Sequence, residues 1–253
     1  MEQYLKQTDM LNFHEKEIQQ LIHLRKWKEL DEFHKIKEIY QFVQNEIVFG
    51  YNCCDTLNAT QVLADGYGQC NTKATLLMAL LRDVGIPCRL HGFEVSKDFQ
   101  RGVTSALISL LAPETIVHTW AEVYYQGKWI ALEGVITDQA YLSALKKTYG
   151  EVTGEFRKYA VATKNLKELS VEWKGEDTFV QSEAIVYDYG IFQSPDEFFQ
   201  QHGQHFHWIN RFLYTHFGRK IMTRNVDKIR RRNVGSKKKK AGKLGRRDYE
   251  SYL

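Results

Sequence analysis

The chain has 253 residues, 43% of them hydrophobic and 26% charged, which is enough apolar content for one large domain, or a domain with an extension, and too much for a disordered chain. Its net charge of +4 conceals an asymmetry: residues 219–247 hold fourteen Lys or Arg against one acid, Asp227, which leaves 21 basic and 30 acidic residues elsewhere, a net of about −9. Four cysteines without C-x-x-C spacing argue against a disulfide framework or a cysteine-based zinc site, and the absence of a leader-like N-terminus or a bilayer-length apolar run predicts a cytoplasmic protein with reduced thiols.

In chain order, apolar residues at helical spacing predict helices over 8–24 and 31–47, the second placing Ile36, Ile39, Tyr40, Val43 and Ile47 on one stripe behind a cap at Asp31. A brief helix over 59–64 stops at Asp65-Gly66, and Gly66 and Gly68 allow sharp turns just before Cys70. From Cys70 the composition is strongly helix-forming, with Ala74, Leu77, Met78, Leu81 and Val84 in phase until Gly85-Ile86-Pro87 closes the helix.

Strands follow over 88–95, 116–125 and 128–132, the last two joined at Gln126-Gly127, with a short apolar helix expected near 105–111. The pattern beyond Tyr141 is mixed. Short strands are expected over 159–163, 170–173 and 178–180, then a helix opened by the capping box Ser194-Pro195-Asp196-Glu197. The lysine-rich stretch 236–243 reads as a mobile tail.

A cysteine acts as a nucleophile only as its thiolate, and a helix N-terminus favours that form through its unpaired N–H groups and partial positive charge. Cys70 is the one cysteine so placed; Cys88, at the start of a strand, reads as a small buried hydrophobe. The base should be a histidine steadied by a third group, and His118 in Val117-His118-Thr119-Trp120 is the candidate.

If Gln126-Gly127 is a two-residue hairpin turn, Tyr125 faces Lys128, Trp120 faces Glu133 and His118 faces Val135. His118 and Glu133 are then diagonal neighbours on one sheet face, about 7 to 8 Å apart at the backbone, which proposes Glu133 as the orienting acid, with Asp138 in reserve. Oxyanion stabilisation is expected from the Cys70 backbone N–H, with Gln69, Tyr51 and Trp120 as candidate second donors or substrate-lining groups.

Two blocks carry a family resemblance. Gly66-Tyr67-Gly68-Gln69-Cys70-Asn71-Thr72-Lys73-Ala74, running through Leu80-Leu81-Arg82 to Gly85-Ile86-Pro87-Cys88-Arg89, and His118-Thr119-Trp120-Ala121-Glu122-Val123 with Gly127-Lys128-Trp129-Ile130-Ala131-Leu132-Glu133 resemble the transglutaminase-like superfamily of bacterial and archaeal type. The resemblance covers residues 36–136. It departs at the acid, where Leu-Glu-Gly stands in place of the family's Leu-Asp-Pro, so the role stays open between Glu133 and Asp138.

It implies an α+β, papain-like core whose cysteine helix packs on an antiparallel sheet carrying the histidine and the acid. It also implies acyl transfer or hydrolysis on an amide of a peptide or protein through a thioester, with no metal or cofactor. The alternative is a catalytically inactive binding module of the same fold, and a third reading is an acyltransferase using small thioesters.

The expected organisation is a domain over 1–217, with core motifs over 36–136 and an extension over 137–217, followed by a basic helix and tail over 218–253. That tail could grip nucleic acid or another anionic surface, or fold back on the acidic body. His202, His205, His207 and His216 lack the spacing and companion ligands of a metal site.

Overall fold

The computed structural model describes residues 1–104, 110, 112–202 and 214–244, and it is built around the helix that begins at Cys70. This helix, α4 (Cys70–Asp83), buries every residue from Asn71 to Arg82, as expected of a helix apolar on most of its circumference. Three shorter helices precede it: α1 (Lys16–Arg25), α2 (Glu32–Asn45), where Asp31 accepts the His34 N–H at the N-cap, and α3 (Ala59–Asp65), closed by Gly66 at φ 68°. Between them, β1 (Val48–Phe49) and β2 (Tyr67–Gly68) pair in parallel and fix the approach of the chain to Cys70.

The main sheet has four antiparallel strands in the order β5-β4-β3-β8, formed by β3 (Cys88–Ser96), β4 (Thr115–Tyr125), β5 (Lys128–Ala131) and β8 (Ile185–Phe192). Helix α4 lies on it, joining Leu76, Leu77, Leu80 and Leu81 to Leu90, Val117, Ala121 and Val123 in one core. Between β5 and β8 come α5 (Gln139–Tyr149) and the hairpin of β6 (Phe156–Lys158) and β7 (Val161–Thr163). Helix α6 (Pro195–His202) follows the sheet and seats Phe198 against Gly92 of β3, where a Cβ would stand 2.3 Å from the ring.

The basic helix α7 (Arg219–Leu244) packs on a second core, where Met222, Val226 and Ile229 are buried with Phe49, Tyr51, Tyr141 and Leu145. Its helical backbone continues through the lysine-rich stretch expected as a mobile tail. Among the described residues no helix is long and apolar enough to cross a membrane.

Several expectations need correction. The first helix begins at Lys16 rather than residue 8, because 8–15 form bends and turns whose backbone is tied at Met10 to Asp196 and to the Ala59 N–H at the start of α3. Of the strand expected over 159–163 only Val161–Thr163 forms, because Tyr159 and Ala160, both at positive φ, make the turn that joins it to β6. No strand forms at 170–173, and 178–180 contributes only a bridge from Thr178 to Leu132. The apolar helix expected near 105–111, apart from Leu110, lies outside the described residues, as do His205 and His207.

Candidate active site

Cys70 is the first residue of α4 and is half-buried, against the second core. The backbone before it is tightly held. Gly50 N–H donates to Gly68 O at 3.0 Å, Asn52 N–H to Gln69 Oε1 at 2.7 Å, and Gln69 N–H to Thr72 Oγ1 at 3.1 Å. Thr72 in turn donates to Asn52 Oδ1 at 2.6 Å, so the loop after β1 and the first turn of α4 form one braced unit.

The β4–β5 hairpin has the expected register, Tyr125 facing Lys128 through to Glu122 facing Ala131, with Gln126 and Gly127 at φ 49° and 83°, the signs a type I′ turn requires. One further bond, Leu132 N–H to Ala121 O at 2.9 Å, carries the pairing to Leu132. The chain then leaves the strand in a 3-10 turn, Glu133–Ile136, so Glu133 reaches the histidine from a turn and not from a strand.

His118 and Glu133 are both fully buried, with His118 Nε2 2.8 Å from Glu133 Oε1. The other carboxylate oxygen accepts two backbone N–H groups, Val180 at 2.7 Å and Gln181 at 3.0 Å. This places the Nε2 proton on the Glu133 side and leaves Nδ1, which has no nitrogen or oxygen partner among the described residues, for the Cys70 sulfur. Burial works to lower the imidazole pKa, but the charge and hydrogen bonding of Cys70 and Glu133 outweigh it and push it up to about 10.

The reserve acid is committed elsewhere. Asp138 caps α5 by accepting Tyr141 N–H at 2.9 Å, accepts Phe49 N–H at 3.1 Å, and pairs with Arg230 of α7 at 2.7 Å. Gln69 is bound at both ends of its amide, to Asn52 N–H and, at 3.0 Å, to Asp55 Oδ1. Tyr51 remains beside the thiol: burial, and then the charge of Cys70, raise its phenol pKa, so it stays a hydroxyl donor. Trp120 stands edge-on to His118 at 5.9 Å, and its buried Nε1 has no partner among the described residues.

Sequence reasoning missed the clamp on Glu133. Its only trace was the extended pattern over 178–180, which gives no hint that two N–H groups converge on a carboxylate. Lys73, given no chemical role from sequence, is fully buried and donates to Gln44 O at 3.1 Å and Ile136 O at 3.0 Å, with burial lowering its pKa to about 7. It ties the end of α2 to the turn that bears Glu133.

Residues 24–134 match the family model of the transglutaminase-like superfamily, a span that holds Cys70, His118 and Glu133. The chain carries a transglutaminase-like core. Among solved structures, a Cytophaga hutchinsonii chain described as "a Putative Cysteine Protease" is similar at 15% identity with a TM-score of 0.42. That match covers 77% of this chain and 47% of that one, so the present chain spans about half its length. No curated protein matches. Around the transglutaminase-like core, no three His, Cys, Asp or Glu side chains gather as a metal site among the described residues.

Proposed function

We propose that the chain is a cysteine-dependent enzyme acting on an amide of a peptide or protein through a thioester, by transfer or hydrolysis. The supporting observation is the buried Glu133–His118 pair, which commits one ring nitrogen and leaves the other for the Cys70 sulfur. His118 holds its proton against the Cys70 thiolate as an imidazolium. The thiolate attacks the amide carbonyl carbon, and negative charge gathers on the oxygen, met by the Cys70 backbone N–H and the Tyr51 hydroxyl.

His118 then gives its proton to the leaving nitrogen, the C–N bond breaks, and a thioester remains on Cys70. Water or an amine, losing its proton to the now neutral His118, attacks the thioester. The thiolate leaves, and the imidazolium–thiolate pair is restored. Glu133 stabilises each imidazolium state and keeps the ring in its orientation.

The test is competitive labelling with iodoacetamide followed by mass spectrometry. Burial raises the pKa of Cys54 and Cys88, so Cys70 is expected to label at least about tenfold faster than they do, and a His118→Ala variant should slow Cys70 alone. Equal, slow labelling of all four cysteines would discard the enzyme reading in favour of a binding module.

A further inference from the structure

Strand β2, which leads into Cys70, takes its place from β1 beside it, and β2 covers one edge of β1. Val48 N–H donates to Gly66 O at 3.1 Å and Gly50 N–H to Gly68 O at 3.0 Å, and the N–H groups between and after them turn to the other edge, as an extended chain requires. There Phe49 N–H donates to Asp138 Oδ2 at 3.1 Å and Tyr51 N–H to Thr223 Oγ1 at 3.0 Å, while Phe49 O accepts Arg230 Nη2 at 2.7 Å.

Thr223 and Arg230 belong to α7. Side chains of this helix therefore complete the second edge of β1, where a larger sheet would place another strand. The fit is close: a Cβ at Gly50 would stand 3.0 Å from the Tyr67 ring and 3.4 Å from Thr223 Cγ2, so a glycine here lets α7, the end of β1 and β2 lie side by side. Arg219 of α7 also reaches β2, donating from Nη1 to the Tyr67 hydroxyl at 3.2 Å.

This row ends at the nucleophile. Asn52, next to Tyr51, donates its N–H to Gln69 Oε1 at 2.7 Å and accepts from Thr72 Oγ1 at 2.6 Å, and these two residues bracket Cys70 at the start of α4. Each link from Thr223 to the sulfur-bearing residue is one hydrogen bond or one peptide bond: Thr223 to Tyr51, Tyr51 to Asn52, Asn52 to Gln69, Gln69 to Cys70. Tyr51 and Asn52 are buried, so a chain that loses the Thr223 acceptor must shift to satisfy the Tyr51 N–H.

We propose that Thr223 is a positioning residue for Cys70: by holding the outer edge of the 48–52 segment it sets where the first turn of α4 brings the sulfur against His118. It touches no substrate and acts through Tyr51 and Asn52. The proposal rests on the reading of Cys70 as the nucleophile, and it makes α7, which lies outside the matched residues 24–134, part of the active-site scaffold.

The full chain can be assayed with p-nitrophenyl acetate. Attack by the thiolate releases p-nitrophenolate, read as a burst of absorbance, and leaves an acetyl group on Cys70 that mass spectrometry locates. Thr223→Val removes the acceptor and keeps the branched shape. It is expected to slow acetylation at saturating ester about tenfold while the half-saturating concentration stays within about twofold, one hydrogen bond being of that size.

Thr223→Ser keeps the acceptor and should return the rate to within about twofold of wild type. Asn225→Ala breaks a different bond of the same helix, from Nδ2 to Val103 O at 2.8 Å, and should also stay within about twofold. Circular dichroism checks each fold, and Thr223→Ala repeats the test if Thr223→Val does not fold. A wild-type rate without the hydroxyl, an equal loss in Asn225→Ala, or no recovery in Thr223→Ser overturns the proposal while leaving the nucleophile in place. Absence of acetyl-Cys70 in wild type overturns the thioester mechanism itself, and the positioning role with it.

Discussion

Glu133 is held by three donors at once, the His118 ring and two backbone N–H groups, and its charge and its shape can be separated by substitution. In Glu133→Gln one amide end must face either the imidazole or the Val180 and Gln181 N–H groups with donors of its own, so the imidazolium loses its support whichever way the amide turns. The expected result is a fall in kcat on the order of 10³ with KM little changed, read by steady-state kinetics on an ester substrate. The pH dependence follows from the same contact. Because the folded pKa of His118 is raised from 6.5 to about 10, the protonated imidazole's contribution to stability is fully present below pH 6.5 and is lost as pH rises through about 10. Acylation of Cys70 should therefore hold a plateau through neutral pH and decline as pH 10 is approached, and the decline should begin at lower pH in Glu133→Gln. An unchanged profile in the variant would separate Glu133 from the proton chemistry. Cys70, His118 and Glu133 were legible in the sequence because a helix start and a two-residue hairpin turn are local signals. That Asp138 pairs with Arg230 was not legible there, because it depends on where Arg230 comes to rest, ninety-two positions further along.

At the scale of elements, α4 and the β4–β5 hairpin were readable for the same local reason, whereas α5 and β8 were not. Helix α5 follows Asp138, a good N-cap, but Tyr141, Leu142, Ala144 and Leu145 are few apolar positions among polar ones, and their burial comes from the second core. Strand β8 lies at the edge of the sheet with most of its residues exposed or half-exposed, and Gly190 stands at φ 84°, so the alternation that marks a strand is missing. Its place is fixed from the neighbouring strand and from α6. Gly92 on β3 gives way to the Phe198 ring, and Gly92→Ala is expected to cost about 1–3 kcal/mol by overpacking, measured by urea unfolding. Adding Phe198→Leu to Gly92→Ala should recover part of that loss, and a loss that the second change only deepens would mean that the ring is not what the methyl meets.

Across the whole molecule, the charge asymmetry was visible in the sequence but its structural use was not. Met222, Val226 and Ile229 recur at helical spacing inside an arginine-rich segment, and the density of charge hides the apolar stripe that closes the second core. Arg230 adds an ion pair with Asp138: burial works to raise that carboxyl's pKa, but the guanidinium holds it below the usual carboxylate range. Its stabilising effect is present above pH 3.8 and is lost as pH falls through the lowered value. Arg230→Ala is expected to destabilise by about 3 kcal/mol near pH 7 and by progressively less as pH falls below 3.8, measured by urea titration. A chain ended after Gly218 should be affected more severely, because each apolar side chain removed from full burial is worth about 1.5–3 kcal/mol.

The grip on Glu133 by Val180 and Gln181 also bears on how portable this chemistry is. All three proposed catalytic side chains fall inside residues 24–134, yet Glu133 is steadied from 47 positions beyond its own place in the chain. A transplant of the matched segment alone into another scaffold would bring Cys70, His118 and Glu133 without the strut that holds Glu133. The smallest autonomous unit of this design must extend at least to Gln181, and stretches outside the recognisable segment are inherited together with it.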